Sequence, residues 1–133
     1  MTNGKRVLIV DDSPSIRQQL RVCLRGAGYQ VDEAVSGEEG LQVAERSPFD
    51  LIITDVNMGA LDGLGMIERV RRVPGHVQTP IFVLTTESNR QVVSRGREVG
   101  ATAWIVKPFK IENLVAAVDK AVGRTESAAP PRQ

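Results

Sequence analysis

A single cysteine, Cys23, leaves no possibility of an internal disulfide. It lies in register with Ile16, Leu20 and Ala27 on a helical face, where a buried structural thiol is expected rather than a reactive one. So little cysteine fits a cytoplasmic protein. Charge of one sign is missing as well. Seventeen basic residues stand against 16 acidic ones, a net charge of +1, which gives no support for direct nucleic-acid binding through bulk charge. No apolar run approaches the roughly 18 residues of a membrane span. The N-terminus is basic at Lys5-Arg6, but the apolar run that follows stops at Asp11, shorter than a signal peptide requires. The one histidine, His76, follows Pro74-Gly75 with no cysteine or second histidine beside it. A surface loop position is expected, not a metal ligand. What remains is ordinary: 41% hydrophobic and 25% charged residues over 133 positions, enough for one globular domain with its own core.

Four apolar runs each end in a polar residue, aspartate for two of them, threonine and lysine for the others. Val7-Leu8-Ile9-Val10 runs into Asp11-Asp12, Leu51-Ile52-Ile53-Thr54 into Asp55, Ile81-Phe82-Val83-Leu84 into Thr85, and Trp104-Ile105-Val106 into Lys107-Pro108. Short continuous β-rich runs are the signature of buried parallel strands. Five alternations of strand and amphipathic segment predict an α/β doubly wound domain. Ser13 and Pro14 suit the start of a first helix striped by Ile16, Leu20, Cys23, Leu24 and Ala27. Tyr29 to Val35 alternates, as an edge strand does. Ser36-Gly37-Glu38-Glu39 matches a capping box opening a second helix. A third helix is predicted from about Leu64 to Arg72. A fourth, from about Asn89 to Val99, contains Gly96, at a cost of roughly 1 kcal/mol against alanine, with Gly100 placed to cap it. The last helix carries Ile111, Leu114, Val115, Val118 and Val122 on one face. Residues 1–122 form the predicted domain. Residues 123–133, ending Ala-Ala-Pro-Pro-Arg-Gln, read as a disordered tail or the start of a linker.

Ligands in open α/β sheets bind beyond the carboxyl ends of the strands. Three carboxylates, a hydroxyl and an ammonium are therefore expected to converge. Carboxylates that close raise one another's pKa and oppose folding, which a divalent cation relieves. Oxygen-only ligands suit Mg2+, which keeps waters and leaves room for phosphate oxygens. Taken singly, the acids could be helix caps or exposed loop carboxylates, Thr85 a strand terminus, Lys107 a solvated charge and Trp104 plain strand packing. Pro108 bars residue 107 from the α region or takes a cis bond, and either aims the lysine. Together they supply a nucleophile, a metal, a counter-charge and a hydrogen-bond donor, the parts of phosphoryl transfer.

Over residues 4–122 the chain resembles the response-regulator receiver domains of two-component signalling. The resemblance rests on Asp11-Asp12, Asp55 followed by Asn57-Met58 and Asp62-Gly63, Thr85-Thr86-Glu87, and Trp104-Ile105-Val106-Lys107-Pro108-Phe109. It is most similar to single-domain chemotaxis-type (CheY-like) regulators. This implies a five-stranded parallel sheet in strand order 2-1-3-4-5 with helices on both faces. It implies that Asp55 accepts a phosphoryl group from a histidine kinase or phosphotransfer protein. Asp12 and Asp55 would hold Mg2+, with Asp11 acting through water and the backbone carbonyl of Asn57 completing the set. Thr85 would contact the phosphoryl group and Lys107 pair with it. Trp104 would be the aromatic switch, turning inward as Thr85 moves, and Asn57 and Glu87 would tune dephosphorylation. The fourth helix, fifth strand and fifth helix would present the result to an output protein.

The departures are Gly59-Ala60, where the family often has proline and where a more mobile loop is expected; Thr86, larger than the usual alanine or glycine and expected to narrow access; and Trp104 in place of tyrosine or phenylalanine. The expected function is a phosphoacceptor switch, not a turnover enzyme. Two alternatives stand beside it. One is the receiver part of a longer regulator, cut after Arg132-Gln133, with the Ala-Ala-Pro-Pro tail as linker to an output domain. The other is a magnesium-dependent aspartyl-phosphate phosphohydrolase, which the absence of Asp-x-Asp after the first strand and of room for a cap domain disfavours.

Overall fold

One parallel sheet is built from β1 (Arg6–Val10), β2 (Gln30–Ala34), β3 (Leu51–Thr54), β4 (Ile81–Thr85) and β5 (Ala103–Val106), in the order β2-β1-β3-β4-β5. The helices α1 (Pro14–Gly26), α2 (Gly37–Arg46), α3 (Gly63–Val70), α4 (Arg90–Val99) and α5 (Ile111–Ala121) connect them. The computed structural model describes residues 4–58 and 61–123. Both the strand order and the helix count follow the expectation. The expected tail over 123–133, apart from Gly123, and the expected mobility at Gly59-Ala60 lie outside the described residues.

The apolar runs are continuous because both faces of the sheet are covered. Leu8, Val10, Ile52, Ile81 and Val83 join Leu64, Met66, Ile67 and Val70 in one core. Val7, Ile9, Leu51, Ile53, Phe82 and Leu84 join Leu20, Leu24, Leu114 and Val118 in the other. Successive strand residues point to opposite faces, so each run feeds both cores. β2 and β5 are the edges. On β2 burial is uneven along the strand, as its mixed composition predicts, while β5 is partly covered from Ala103 to Ile105 and exposed at Val106.

The local signals for helix boundaries hold. Ser13 Oγ accepts from Ile16 N–H at 3.4 Å and Pro14 opens α1. Ser36 Oγ accepts from Glu39 N–H at 3.1 Å, and the Glu39 carboxylate accepts from Val35 N–H at 2.7 Å. Gly100 closes α4 at φ 113°, a conformation that any side chain would strain. The third helix begins and ends slightly earlier than predicted, with Asp62 as its cap, accepting from Gly65 N–H at 2.9 Å.

Two expectations need correction. His76 is not on the surface: it is 1% exposed. Its Nε2 lies 3.1 Å from Ser47 O, a carbonyl that can only accept, so Nε2 carries the proton. Its Nδ1 lies 2.9 Å from Thr79 Oγ1, and its ring stacks on Phe49 at a centroid distance of 6.3 Å. Ser47, Thr79 and Phe49 together hold the ring inside. Cys23 is half-buried rather than buried, with its Sγ 3.4 Å from Leu20 O, and partial burial pushes its thiol pKa up.

Candidate functional site

Parallel pairing brings the ends of β1, β3, β4 and β5 to one edge of the sheet. Asp11 follows β1, its N–H donating to Ala34 O at 3.1 Å, and Asp55 follows β3, its N–H donating to Val10 O at 3.1 Å. Carboxylate oxygens of Asp11, Asp12 and Asp55 lie within 4.8 Å of one another. Asp11 is buried, Asp55 half-buried and Asp12 exposed. The three acids therefore line a cleft that opens outward on the Asp12 side.

Lys107 is the counter-charge. Its Nζ stands 3.5 Å from Asp11 Oδ2 and 3.4 Å from Asp55 Oδ2. The Lys107–Pro108 bond is cis, and Lys107 N–H donates to Thr85 O at 2.7 Å. One ammonium between three carboxylates leaves the cluster negative. Asp11 carries the consequence. Burial raises its pKa above the ordinary carboxylate value, and the nearby Asp55 charge adds to this. The Ser13 N–H bond (2.9 Å to Oδ1) and Lys107 pull the other way without reversing it.

Thr85 is fully buried at the end of β4, its Oγ1 accepting from Glu87 N–H at 3.2 Å. Accepting that bond leaves its hydroxyl proton to donate. Glu87 is half-buried, and its carboxylate accepts from Asn89 N–H at 2.9 Å, at the start of α4. Asn57 is exposed beside the acids. Thr86 is exposed too. It lines an open groove of about 360 Å³ with Ile16, Gln19, Lys107, Pro108 and Phe109, so the bulk expected to narrow access stands on its wall. Trp104 is half-buried on β5 and packs against the Leu64–Val83 core, with its indole N–H donating to Glu87 O at 2.8 Å. Asp11, Asp12, Asp55, Asn57, Thr85, Glu87, Lys107 and Trp104 thus lie at or directly beside this edge.

Two contributors were not placed by sequence reasoning. A β-carbon on Gly63 would sit 1.9 Å from the carbonyl oxygen of Asp55, so α3 starts hard against the peptide that carries this carboxylate. Gly63 N–H donates to Val56 O at 2.9 Å and fixes that approach. The signal was present as a glycine directly after the cap Asp62. Arg17 Nη1 donates to Asp11 O at 2.7 Å, which anchors the acidic loop from α1. Nothing in its local sequence distinguishes it from a solvated helix charge.

The donor set suits a hard divalent ion. It is all oxygen, it is under-neutralised, and it is open on one side. Comparison with known proteins agrees. The family described as "Response regulator receiver domain" matches residues 7–119. The transcriptional regulatory protein PdtaR of Mycobacterium tuberculosis is 42% identical over 121 residues, covering 90% of this chain and 58% of its own length. The chain thus spans little more than half of that relative. Among solved structures, Vibrio cholerae chemotaxis protein CheY4 superposes with a TM-score of 0.84 at 43% identity, covering 88% of this chain and 98% of its own. The receiver domain of sensor histidine kinase PA1611 from Pseudomonas aeruginosa, with a magnesium ion coordinated in its active-site cleft, gives a TM-score of 0.84 at 27% identity, covering 90% and 98%. With strand order, strand-end acids and a family match across most of its length, the chain belongs to the response regulator receiver domains of two-component signalling.

Proposed function

We propose that this protein is a phosphoacceptor switch in which Asp55 takes a phosphoryl group from the phosphohistidine of a histidine kinase or phosphotransfer protein. The observation that carries this reading is the placement of Lys107 Nζ between Asp11 and Asp55, at 3.5 and 3.4 Å, with Asp12 in the same cluster. A carboxylate oxygen of Asp55 attacks phosphorus, the bond to the donor imidazole breaks, and the imidazole leaves with its electron pair. Asp55 becomes an acyl phosphate. Asp11, Asp12, Asp55 and the carbonyl of Asn57 are the residues to hold Mg2+, which supplies charge neutralisation between the acids and the incoming phosphoryl oxygens.

Lys107 then pairs with the new dianionic group, and the Thr85 hydroxyl donates to one of its oxygens. Thr85 must give up its bond from Glu87 N–H to swing toward it, which disturbs the loop leading into α4. That disturbance reaches Trp104 through Glu87 O. The α4-β5-α5 face then differs for an output protein. Asn57 and Glu87 flank the site and set how water reaches it for dephosphorylation. On this reading the chain is a self-limiting switch, not a turnover enzyme, and it works in the cytoplasm. No described helix is long and apolar enough to cross a membrane. The 43% identity to CheY4 supports a chemotaxis-type output through protein contact, and the near-zero net charge supports no direct nucleic-acid binding. The share of PdtaR that the chain spans favours a second arrangement, the same switch as the receiver part of a longer regulator. Reading the gene past the codon for Gln133 decides between them.

The test is uptake of label from a small phosphodonor in the presence of Mg2+. The wild-type chain is expected to gain one phosphoryl group by intact mass. Asp55→Asn is expected to gain none, and equal labelling of the variant would end the assignment.

A further inference from the structure

Gly96 stands in the interior of α4, where glycine weakens a helix relative to alanine. The structure supplies a reason for it. A β-carbon at position 96 would lie 2.5 Å from Cζ3 and 3.0 Å from Cε3 of Trp104, with Leu64 Cδ2 at 3.4 Å. The six-membered ring of the indole occupies the space that any other residue would need. The opposite edge of the same indole is held by its N–H bond to Glu87 O, 2.8 Å long, and the Glu87 N–H bonds the Thr85 hydroxyl at 3.2 Å. The ring is therefore seated between a gap in α4 and the backbone of the β4–α4 loop. Phenylalanine could not donate that bond, and neither phenylalanine nor tyrosine carries the fused ring that fills the gap. Tryptophan at 104 and glycine at 96 are matched in shape.

We propose that Gly96 is a positioning residue. Its missing side chain sets the inward seat of Trp104 and so couples the Thr85–Glu87 segment to α4. The coupling to Thr85 rests on the role proposed above for that hydroxyl, whereas the seat itself does not. A consequence runs against helix propensity. Alanine at 96, which favours a helix, displaces the indole outward from the α4 side.

Trp104 is the only tryptophan in the chain, so its fluorescence reports the seat alone. In the 133-residue chain, Gly96→Ala is expected to shift emission to the red and to raise acrylamide quenching roughly twofold, as an amphipathic ring moves toward water. Thermal unfolding completes a double-mutant cycle with Trp104→Val, which removes every ring atom. Gly96→Ala is expected to lower Tm in the wild-type background and to leave it unchanged or raise it in the Trp104→Val background. The cycle also covers the case in which Gly96→Ala alone fails to fold, since the double variant is then expected to fold as Trp104→Val does. Unchanged emission and quenching in Gly96→Ala, or an equal loss of Tm in both backgrounds, overturns the proposal. Neither arm contains a phosphodonor, so failure here is separate from failure of Asp55 to accept a phosphoryl group.

Discussion

The two ends of the sheet bury polar groups in opposite ways. At the amino ends of the strands the polar groups answer one another. His76 has Ser47 O and Thr79 Oγ1, and Arg71 donates to the carbonyls of His76, Thr79 and Gly100 at 3.0, 2.6 and 2.7 Å. Arg6 bonds Asp50 through its N–H at 2.8 Å and Asp32 through its guanidinium at 2.9 Å, and stands 4.8 Å from the Phe49 ring centroid. At the carboxyl ends, three carboxylates cluster around one ammonium that pairs with two of them, Asp11 and Asp55. A closed polar network specifies a fold, while an under-neutralised one is a place for something to bind. The same sheet thus carries a structural end and a chemical end.

That contrast can be broken experimentally, most severely at Asp55. Asp55→Asn should reduce phosphoryl uptake by at least about 100-fold, as loss of a nucleophile does, while far-UV circular dichroism shows the fold intact. His76→Ala should do the reverse. It leaves Ser47 O unanswered beside a cavity and Thr79 Oγ1 with only its longer bond to Gly75 O, at about 2–4 kcal/mol in urea unfolding, with the extent of labelling of the folded fraction unchanged. A loss of labelling there would show that the two ends are not separate.

Asp11→Asn should be stabilising without metal. The folded-state pKa of Asp11 is raised above the ordinary 3.8, so its contribution favours folding at low pH and is lost as pH rises through the folded value. At neutral pH the ionised side chain opposes folding, and an amide removes that opposition while keeping an acceptor for Ser13 N–H. The expected gain in Tm at pH 7 is about 2–5 °C for a domain of this size, shrinking toward zero near pH 4. Added Mg2+ should raise Tm more in the wild type than in the variant, because the wild type has more repulsion to relieve. The smallest effect belongs to Cys23→Ser, within about 1 kcal/mol by urea unfolding, since its thiol makes one weak bond from a half-buried position.

Much of the chemical end was legible because its parts sit at places where hydrophobic pattern breaks. A run of four apolar residues that stops at an aspartate marks both the strand and the acid, and parallel topology does the rest. Helix starts at Ser13 and Ser36 and the stop at Gly100 were readable because caps are local chemistry. The structural end was not readable. Pro74-Gly75 announces a turn, but the groups that bury His76 include Ser47 and Phe49, far away in sequence. Gly96 showed its cost and hid its cause, because the ring that needs the space is on another element. Gly63 was noticed as a motif residue, yet its closeness to the Asp55 peptide exists only in three dimensions.

Arg71, just past the end of α3, reaches across to the carbonyl of Gly100 at the end of α4. That end of α4 is staked down by a half-buried arginine. The other end hangs from Asn89, Glu87 and the indole, contacts that a small rotation can remake. A rod fixed at one end and loosely held at the other pivots; it does not slide. Whatever reads this molecule should therefore feel a change in the angle of α4, largest near Arg90 and vanishing toward Val99.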